Sequence, residues 1–419
     1  MPRPTAHGGV FHGWRVVAAC FVVAAFTWAL GLFGASVYLK AVTAAHGWPI
    51  GEVASAITLF FLVSASIQRL VGRSIDRWGP RPVLSIGAVA MALGVAAIGQ
   101  VREPWQLYPC FVLVGIGWST LSTTGISATV APWFERHQGR SITLAIMGAS
   151  VGAIVGVPLL LLALDRLGLA GGLLLAAGVA LAVLLPLIAI VLRFRGPADL
   201  GLGRDGDDAP PSGATVAASR IETAAERGRP RVLLWTAATG FALGLLVQIG
   251  FITHHVALAG PLLGTAGAGL LVSATGVTAL AGRLVLARIV DRIDVRALAA
   301  GVMVLQTLAL AALALWPTVP VLIGASLVYG YGIGHITTLG PVVVRREFGA
   351  AAFGATYGAA ATVIQLTSAT GPAVLGWLRD AFGGYGPGLG VAAVLTTIGA
   401  MALLAGGMLG RRPPRAPGD

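Results

Sequence analysis

The chain has 419 residues, 56% of them hydrophobic and only 11% charged, with a mean hydropathy of +0.86. An ordinary soluble domain is about a quarter charged, so a soluble globular enzyme is excluded, and so is a disordered chain. The 59 glycines follow no three-residue period, which excludes a collagen-like rod, and what remains is a polytopic membrane protein.

In a soluble protein a net charge of +12 would suggest nucleic acid. Here Lys and Arg sit between hydrophobic segments, where they report topology, and no nucleic-acid partner is expected. Cys20 and Cys110 lie in apolar stretches without a CxxC or neighbouring His, so no disulfide framework, metal site or cofactor is expected.

Cutting the chain at its charges, prolines and glycines into pieces of roughly 20 residues, the length that crosses hydrocarbon as a helix, predicts twelve spans. They cover 16–39, 53–72, 82–101, 106–131, 141–164 and 171–192 in the first half. In the second half they cover 232–257, 266–289, 297–315, 319–341, 353–377 and 388–409. The ten-residue alternation of a membrane β-barrel is absent, so the expected class is an all-α membrane protein. The first apolar run is too long for a cleavable signal and has no small-residue cleavage site.

With the N-terminus inside, only Lys40, Arg102, Arg166 and Arg379 of the 28 basic residues face outward, and only Arg283 lies well within a span. This positive-inside bias predicts two cytoplasmic termini on a multi-pass cell-membrane protein. The polar stretch 194–230, with Asp205, Gly206, Asp207, Asp208, Pro210 and Pro211, reads as a flexible cytoplasmic linker between six-helix bundles at 1–193 and 231–419.

A shift of 215 residues superimposes the halves. It carries Gly115, Gly117, Thr123, Gly125 and Gly139 onto Gly330, Gly332, Thr338, Gly340 and Gly354, and Asp76-Arg77 onto Asp291-Arg292. It also carries Gly156, Asp165 and Gly168 onto Gly371, Asp380 and Gly383. Six helices per copy keep both copies in the same orientation, the parallel-repeat plan with a central path.

Between spans two and three lies GRSIDRWGPR, Gly72 to Arg81. In it Gly72 permits close helix approach, Asp76 can meet a helix N-terminus, and Arg77 and Arg81 can meet carboxylates or lipid headgroups. Without such roles it is an ordinary positive loop. With Gly79 and the shorter second copy ending in Asp291-Arg292, this loop resembles the GxxxDRxGxR signature of the major facilitator superfamily, which implies two six-helix bundles and transport. The patches His12-Gly13-Trp14-Arg15, Ser36 to Lys40, Ala131 to Phe134 and Gly139-Arg140 are similar to the monocarboxylate transporter and oxalate/formate antiporter branch. Mammalian members of that branch carry a lysine where this chain has Phe33, and an aspartate where it has Ala279. Their Lys-Asp-Arg proton set is therefore incomplete here.

Arg283 is the leading candidate for the substrate site. A charge at the bilayer centre costs roughly 2.5 to 3.5 kcal/mol even on the lower scales, and guanidinium matches carboxylate in a bidentate fork. The competing reading is snorkelling toward the inner interface. The resemblance also implies a carboxylate-binding arginine in span eight. Oxalate-type carriers add a lysine in span eleven, which has no Lys or Arg here, so one positive charge points to a monocarboxylate such as lactate or pyruvate.

His254, His255 and His335 are candidate proton sites, because histidine titrates near neutral pH, with His254 also a substrate contact; hydrogen bonding alone is the plainer alternative. Tyr38, Trp118, Tyr331, Tyr357 and Gln365 are candidate pocket residues or, alternatively, packing groups. Gly148, Gly152 and Gly156 form a GxxxGxxxG run suited to close helix packing. No Asp or Glu lies near a span centre, no enzyme motif appears, and no phosphate-binding loop is present. The expected protein is a monomeric secondary carrier of a small organic anion, with or without a proton. Dicarboxylate antiport, drug and sugar transport are the alternatives.

Overall fold

The computed structural model describes residues 11–206 and 231–410, and within these helices it leaves aside the side chains of Ala287, Asp291, Arg345 and residues 349–359 and 410. Most of the expected linker, 207–230, therefore lies outside the described residues.

The helices run in the order α1 (His12–Leu30), α2 (Gly34–His46), α3 (Ile50–Trp78), α4 (Pro80–Ile98), α5 (Leu107–Leu121), α6 (Thr123–Val130), α7 (Gln138–Ile146) and α8 (Gly148–Val151). They continue as α9 (Val157–Val191), α10 (Arg231–Ile289), α11 (Val295–Leu315), α12 (Val319–Ala369), α13 (Gly371–Phe382) and α14 (Tyr385–Gly410). Among the described residues nine helical stretches are apolar and long enough to cross a membrane. Gln138–Val191 and Arg231–Leu286, of 54 and 56 residues, are each long enough for two crossings. Span eleven is formed by the end of α12 with α13, so all twelve expected crossings are present in an all-α fold.

Several boundaries differ from the sequence reading. Helix continues through the expected loops 258–265 and 342–352, with a backbone break in α10 only at Gly264, whose φ of +70° suits glycine. Span one, expected as a single helix, breaks at Gly31 into α1 and α2. The break leaves α1 carbonyls without helical partners. The Tyr38 hydroxyl donates to Leu30 O at 2.7 Å, and Ser36 donates to Phe33 O at 2.7 Å. Span four breaks at Ser122, and span five carries a π-helical turn at Gly152–Gly156.

The chain divides into two compact units. One is Met1–Ala217 with His255–Ala257 and Thr265–Ser273; the other is Ala218–His254, Leu258–Gly264 and Ala274–Asp419.

In the first unit the GxxxGxxxG run meshes with α1. A side chain at Gly148 would meet Phe21 O, one at Gly152 would meet Ala25 O, and one at Gly156 would meet Ala29. Contact recurs every four residues on both helices because that is the spacing of one helix face. In the second unit Gly371, the repeat mate of Gly156, likewise packs on the first helix of its own unit, against Leu246 O and Gly250.

The repeat extends to individual contacts. Gly115 packs on Phe60 O and Gly330 on Thr275 O; Gly117 packs on Met91 and Gly332 on Gln306. The offset of 215 carries Phe60 to Thr275 and Met91 to Gln306, so the two units share a packing plan as well as a sequence pattern.

The beginning of the expected flexible linker is folded. After short turns at Pro197–Leu200 and Arg204–Gly206, Asp205 adopts φ +61°. Its carboxylate accepts from the backbone N–H groups of Glu135 (3.0 Å), Arg136 (2.8 Å) and His137 (3.3 Å), and lies 3.1 Å from His137 Nδ1. These are loop amides just before α7, which the carboxylate gathers by charge-assisted hydrogen bonds. Burial by itself pushes the Asp205 carboxyl up, but the bonds from Arg136, Glu135 and His137 outweigh it and hold it below its ordinary 3.8.

Two measurements follow from this packing. Gly152→Ala should lower stability by about 1–3 kcal/mol through overpacking against Ala25 O. Gly178→Ala, where a side chain meets nothing within 4 Å, should change stability by less than about 0.5 kcal/mol; thermal unfolding in detergent compares them. Asp205→Ala should cost about 1–3 kcal/mol at neutral pH, as lost hydrogen bonds to a charged group do. Because the folded carboxyl titrates below its ordinary value, that difference should stay constant down to about pH 4 and shrink only as acid protonates Asp205, which midpoints taken between pH 7 and pH 3 would display.

Candidate functional site

Two arginines in helices of the second unit, Arg296 and Arg283, have opposite surroundings. Arg296, at the start of α11, is 2% exposed. Its Nε and Nη2 donate to the two carboxylate oxygens of Glu347, the Nη2 bond being 2.8 Å. Nη1 donates to Thr236 Oγ1 (3.1 Å) and Leu403 O (3.3 Å), and Nη2 also donates to Leu233 O. Glycine at 406 is required here, since a side chain there would meet Arg296 Nη1. This buried fork ties the first residues of α10 to α11, α12 and α14, with every lone pair and donor matched as burial demands. The sequence reading counted Arg296 among loop charges. Its repeat offset from Arg81, the last arginine of the loop motif, was the available signal.

Arg283, in span eight, is half-buried. No ion pair or hydrogen bond joins it to any described residue. It is held by glycine packing against α12: a side chain at Gly334 would lie 2.9 Å from Arg283 N and 3.1 Å from its Cγ, and one at Gly282 would lie 3.2 Å from His335 Nδ1. The pairs Gly282-Arg283 and Gly334-His335 thus face each other, each glycine making room for the other helix. His335 is fully buried, and Tyr331 is half-buried with its ring 4.6 Å from the imidazole. Tyr331 and His335 form one ring pair, on the helix that packs against Gly282-Arg283.

The remaining candidates are elsewhere. His254 is buried with both ring nitrogens engaged, Nδ1 with Tyr385 Oη and Nε2 with Pro372 O, each at 3.0 Å. The neighbouring His255 is also buried and has a partner of its own. Gln365 is exposed, and the side chain of Tyr357 lies outside the described residues. In the first unit Tyr38 is buried with its hydroxyl spent on the α1 terminus. Trp118, half-buried, packs on Trp28 (4.9 Å) and Phe60 (5.8 Å) and covers Gly31 at the break in span one.

In the loop motif Gly79 has a concrete reason, φ +86°, which favours glycine. Gly72 does not make the expected close approach, since a side chain there would meet nothing within 4 Å. Asp76, Arg77 and Arg81 are exposed. Arg77 lies over the Trp78 ring, and Asp76 meets no helix N-terminus among the described residues. Arg292 is exposed, and the Asp291 side chain lies outside the described residues.

Gln306 was not anticipated. It is 1% exposed, and neither its amide oxygen nor its amide nitrogen has a partner. It stands where the first unit has Met91. Because an unmatched buried amide is destabilising, Gln306→Met should raise stability by about 1 kcal/mol, read as a higher unfolding midpoint in detergent.

Residues 17–266 match the family model described as Major Facilitator Superfamily. The chain is 26% identical over 403 residues to human monocarboxylate transporter 11, covering 92% of this chain and 80% of that one. A shorter stretch of 110 residues, 26% of this chain and 27% of the relative, is 32% identical to multidrug resistance protein MdtH of Shigella dysenteriae serotype 1 (strain Sd197). Among solved structures, a bacterial homolog of the human lysosomal transporter Spinster matches with a TM-score of 0.73 at 14% identity, over 97% of this chain and 100% of that one. The nucleoside transporter NupG matches with a TM-score of 0.71 at 14% identity, over 94% and 98%. These structures share the fold. With twelve crossings, an internal repeat carried down to its glycine contacts and a family match over more than half its length, the chain belongs to the Major Facilitator Superfamily of membrane transporters.

Proposed function

We propose that this transporter carries a small organic anion, a monocarboxylate such as lactate or pyruvate, with Arg283 as the anion site. The observation carrying the proposal is the contrast between the two arginines: every donor of Arg296 is matched, whereas Arg283 has no counter-charge among the described residues. An unpaired guanidinium among hydrocarbon-spanning helices is costly, and an arriving carboxylate removes that cost by two parallel hydrogen bonds. Tyr331, one helix away in the same unit, flanks the anion. The likeness to a monocarboxylate transporter supports the same class. His254 and Tyr38, whose polar atoms are already bonded, serve the packing of their own units.

Transport follows the alternating-access logic of two repeats, with the bound anion neutralising Arg283 before the site changes sides. We assign the halves to 1–193 and 231–419, joined by 194–230. The protein works as a monomer in the cell membrane with both termini cytoplasmic, the side favoured by its basic loops.

The test is uptake of labelled L-lactate into proteoliposomes, with and without an inside-alkaline pH gradient. Wild-type uptake should fall at least tenfold in Arg283→Gln, the loss expected when one charge-assisted pair worth about 1.5–3 kcal/mol is removed. Undiminished uptake by Arg283→Gln would overturn the site. Wild-type failure to take up either L-lactate or pyruvate would overturn the substrate class.

A further inference from the structure

The arginines of the loop motif have no use in the anion site, and the internal repeat shows what one of them lacks. In the second unit Arg296 is buried and its fork is closed by Glu347. The offset of 215 carries Arg296 to Arg81 and Glu347 to Pro132. The first unit thus keeps the arginine without the carboxylate, and Arg81 is exposed.

Three more arginines belong to the same corner of the first unit, the turn from α3 into α4. Arg73 and Arg77, four residues apart and so one above the other on the last turns of α3, are exposed. The Arg77 guanidinium lies 5.6 Å from the centre of the Trp78 ring. Arg195, just past α9, reaches the turn from the other side: its Nη2 donates to Trp78 O at 3.2 Å, and a side chain at Gly79 would lie 3.0 Å from its Nε. Its backbone N–H donates to the Asp199 carboxylate at 2.6 Å, which fixes the segment that brings it there. No ion pair joins any of the four arginines to a carboxylate among the described residues. Asp76 is the one acidic residue between positions 69 and 81.

The depth of this corner decides what it can meet. With 29 residues α3 is about 43 Å long, against roughly 30 Å of hydrocarbon. Its apolar stretch ends near residue 72, so the excess length carries Arg73, Arg77 and Trp78 into the headgroup layer. Trp78 is 56% exposed, and an indole favours that boundary. Leu70, about two turns earlier, is exposed as well. A soluble anion would need the guanidinium groups alone; an exposed indole and leucine beside them fit a ligand whose phosphate and acyl chains arrive together.

We propose that Arg73, Arg77, Arg81 and Arg195 bind the phosphate of an anionic phospholipid in the surrounding leaflet, with its acyl chains along Leu70 and Trp78. Guanidinium groups pair with phosphate by parallel hydrogen bonds, and clustered basic residues at the end of a membrane helix hold acidic lipids. A lipid bound there ties the α3–α4 turn to the segment after α9 and so stabilises the first unit. The second unit has no equivalent surface. Arg288 and Arg292, the repeat mates of Arg73 and Arg77, are exposed, but Arg296 is spent on Glu347 and Ile293 stands in place of Trp78.

The experiment is thermal unfolding of the purified full-length protein in neutral detergent while dioleoylphosphatidylglycerol, dioleoylphosphatidylcholine or soluble glycerol phosphate is titrated in. A ligand bound to the folded state raises the midpoint. Phosphatidylglycerol should raise it saturably in wild type, and the other two should not. The phosphatidylglycerol concentration giving half the shift should rise at least tenfold in Arg73→Gln with Arg77→Gln, and in Arg77→Gln with Arg81→Gln; two variants guard against one misfolding. Arg288→Gln with Arg292→Gln, which removes the same charge from the repeat mates, should respond as wild type does. A wild-type response in either folded variant of the first unit overturns the proposal. So does an equal loss in the Arg288 and Arg292 variant, which would mean charge attraction without a site. An equal shift from glycerol phosphate would assign the surface to a soluble anion, and an equal shift from phosphatidylcholine to any lipid; each overturns it too.

Discussion

Inside hydrocarbon no water is available to match a charge or a polar backbone group, and this constraint organises the molecule. It requires every crossing to be helical, and it makes the treatment of each charged side chain in those helices a decision. Arg296 is matched completely by Glu347, Thr236 and two carbonyls. Arg283 has no partner among the described residues. The first arrangement is what a structural ion pair needs to survive burial.

The same constraint explains the glycines. Helices in lipid gain little from hiding apolar surface from one another and associate instead by close van der Waals approach. Gly148, Gly152 and Gly156 bring span five onto α1, and Gly282 and Gly334 bring spans eight and ten together. In the second case Gly282 makes room for His335 and Gly334 for the backbone of Arg283. Where a helix is broken, as at Gly31, the freed carbonyls are bonded by nearby hydroxyls such as that of Tyr38. A residue that looks from its chemistry like a ligand contact can thus be spent on the backbone.

Comparison of the halves separates shared architecture from specialisation. The glycine contacts repeat with the offset of 215, yet Met91 becomes Gln306 across that offset, and Gln68 becomes Arg283. The packing framework is common to both copies, while the intramembrane guanidinium belongs to the second alone. Asp205 shows a related economy outside the spans, where one carboxylate at a left-handed position gathers three loop amides just before α7.

The helical spans, the repeat and the position of Arg283 as a charge well within a span were legible in the sequence because hydropathy, charge placement and periodicity are properties of the chain itself. The folded start of the linker was not legible, since polar composition around Asp205 resembles a flexible segment until the amides before α7 are brought to it. Nor could composition tell Arg283 from Arg296: both are arginines near helix ends or centres, and only the placement of Glu347, 51 residues further along, decides which is paired. His254 and His335 were likewise equivalent as histidines in spans. Tertiary structure distinguished them, giving His254 two partners and leaving His335 one nitrogen free, because whether a buried polar atom is satisfied depends on neighbours distant in sequence.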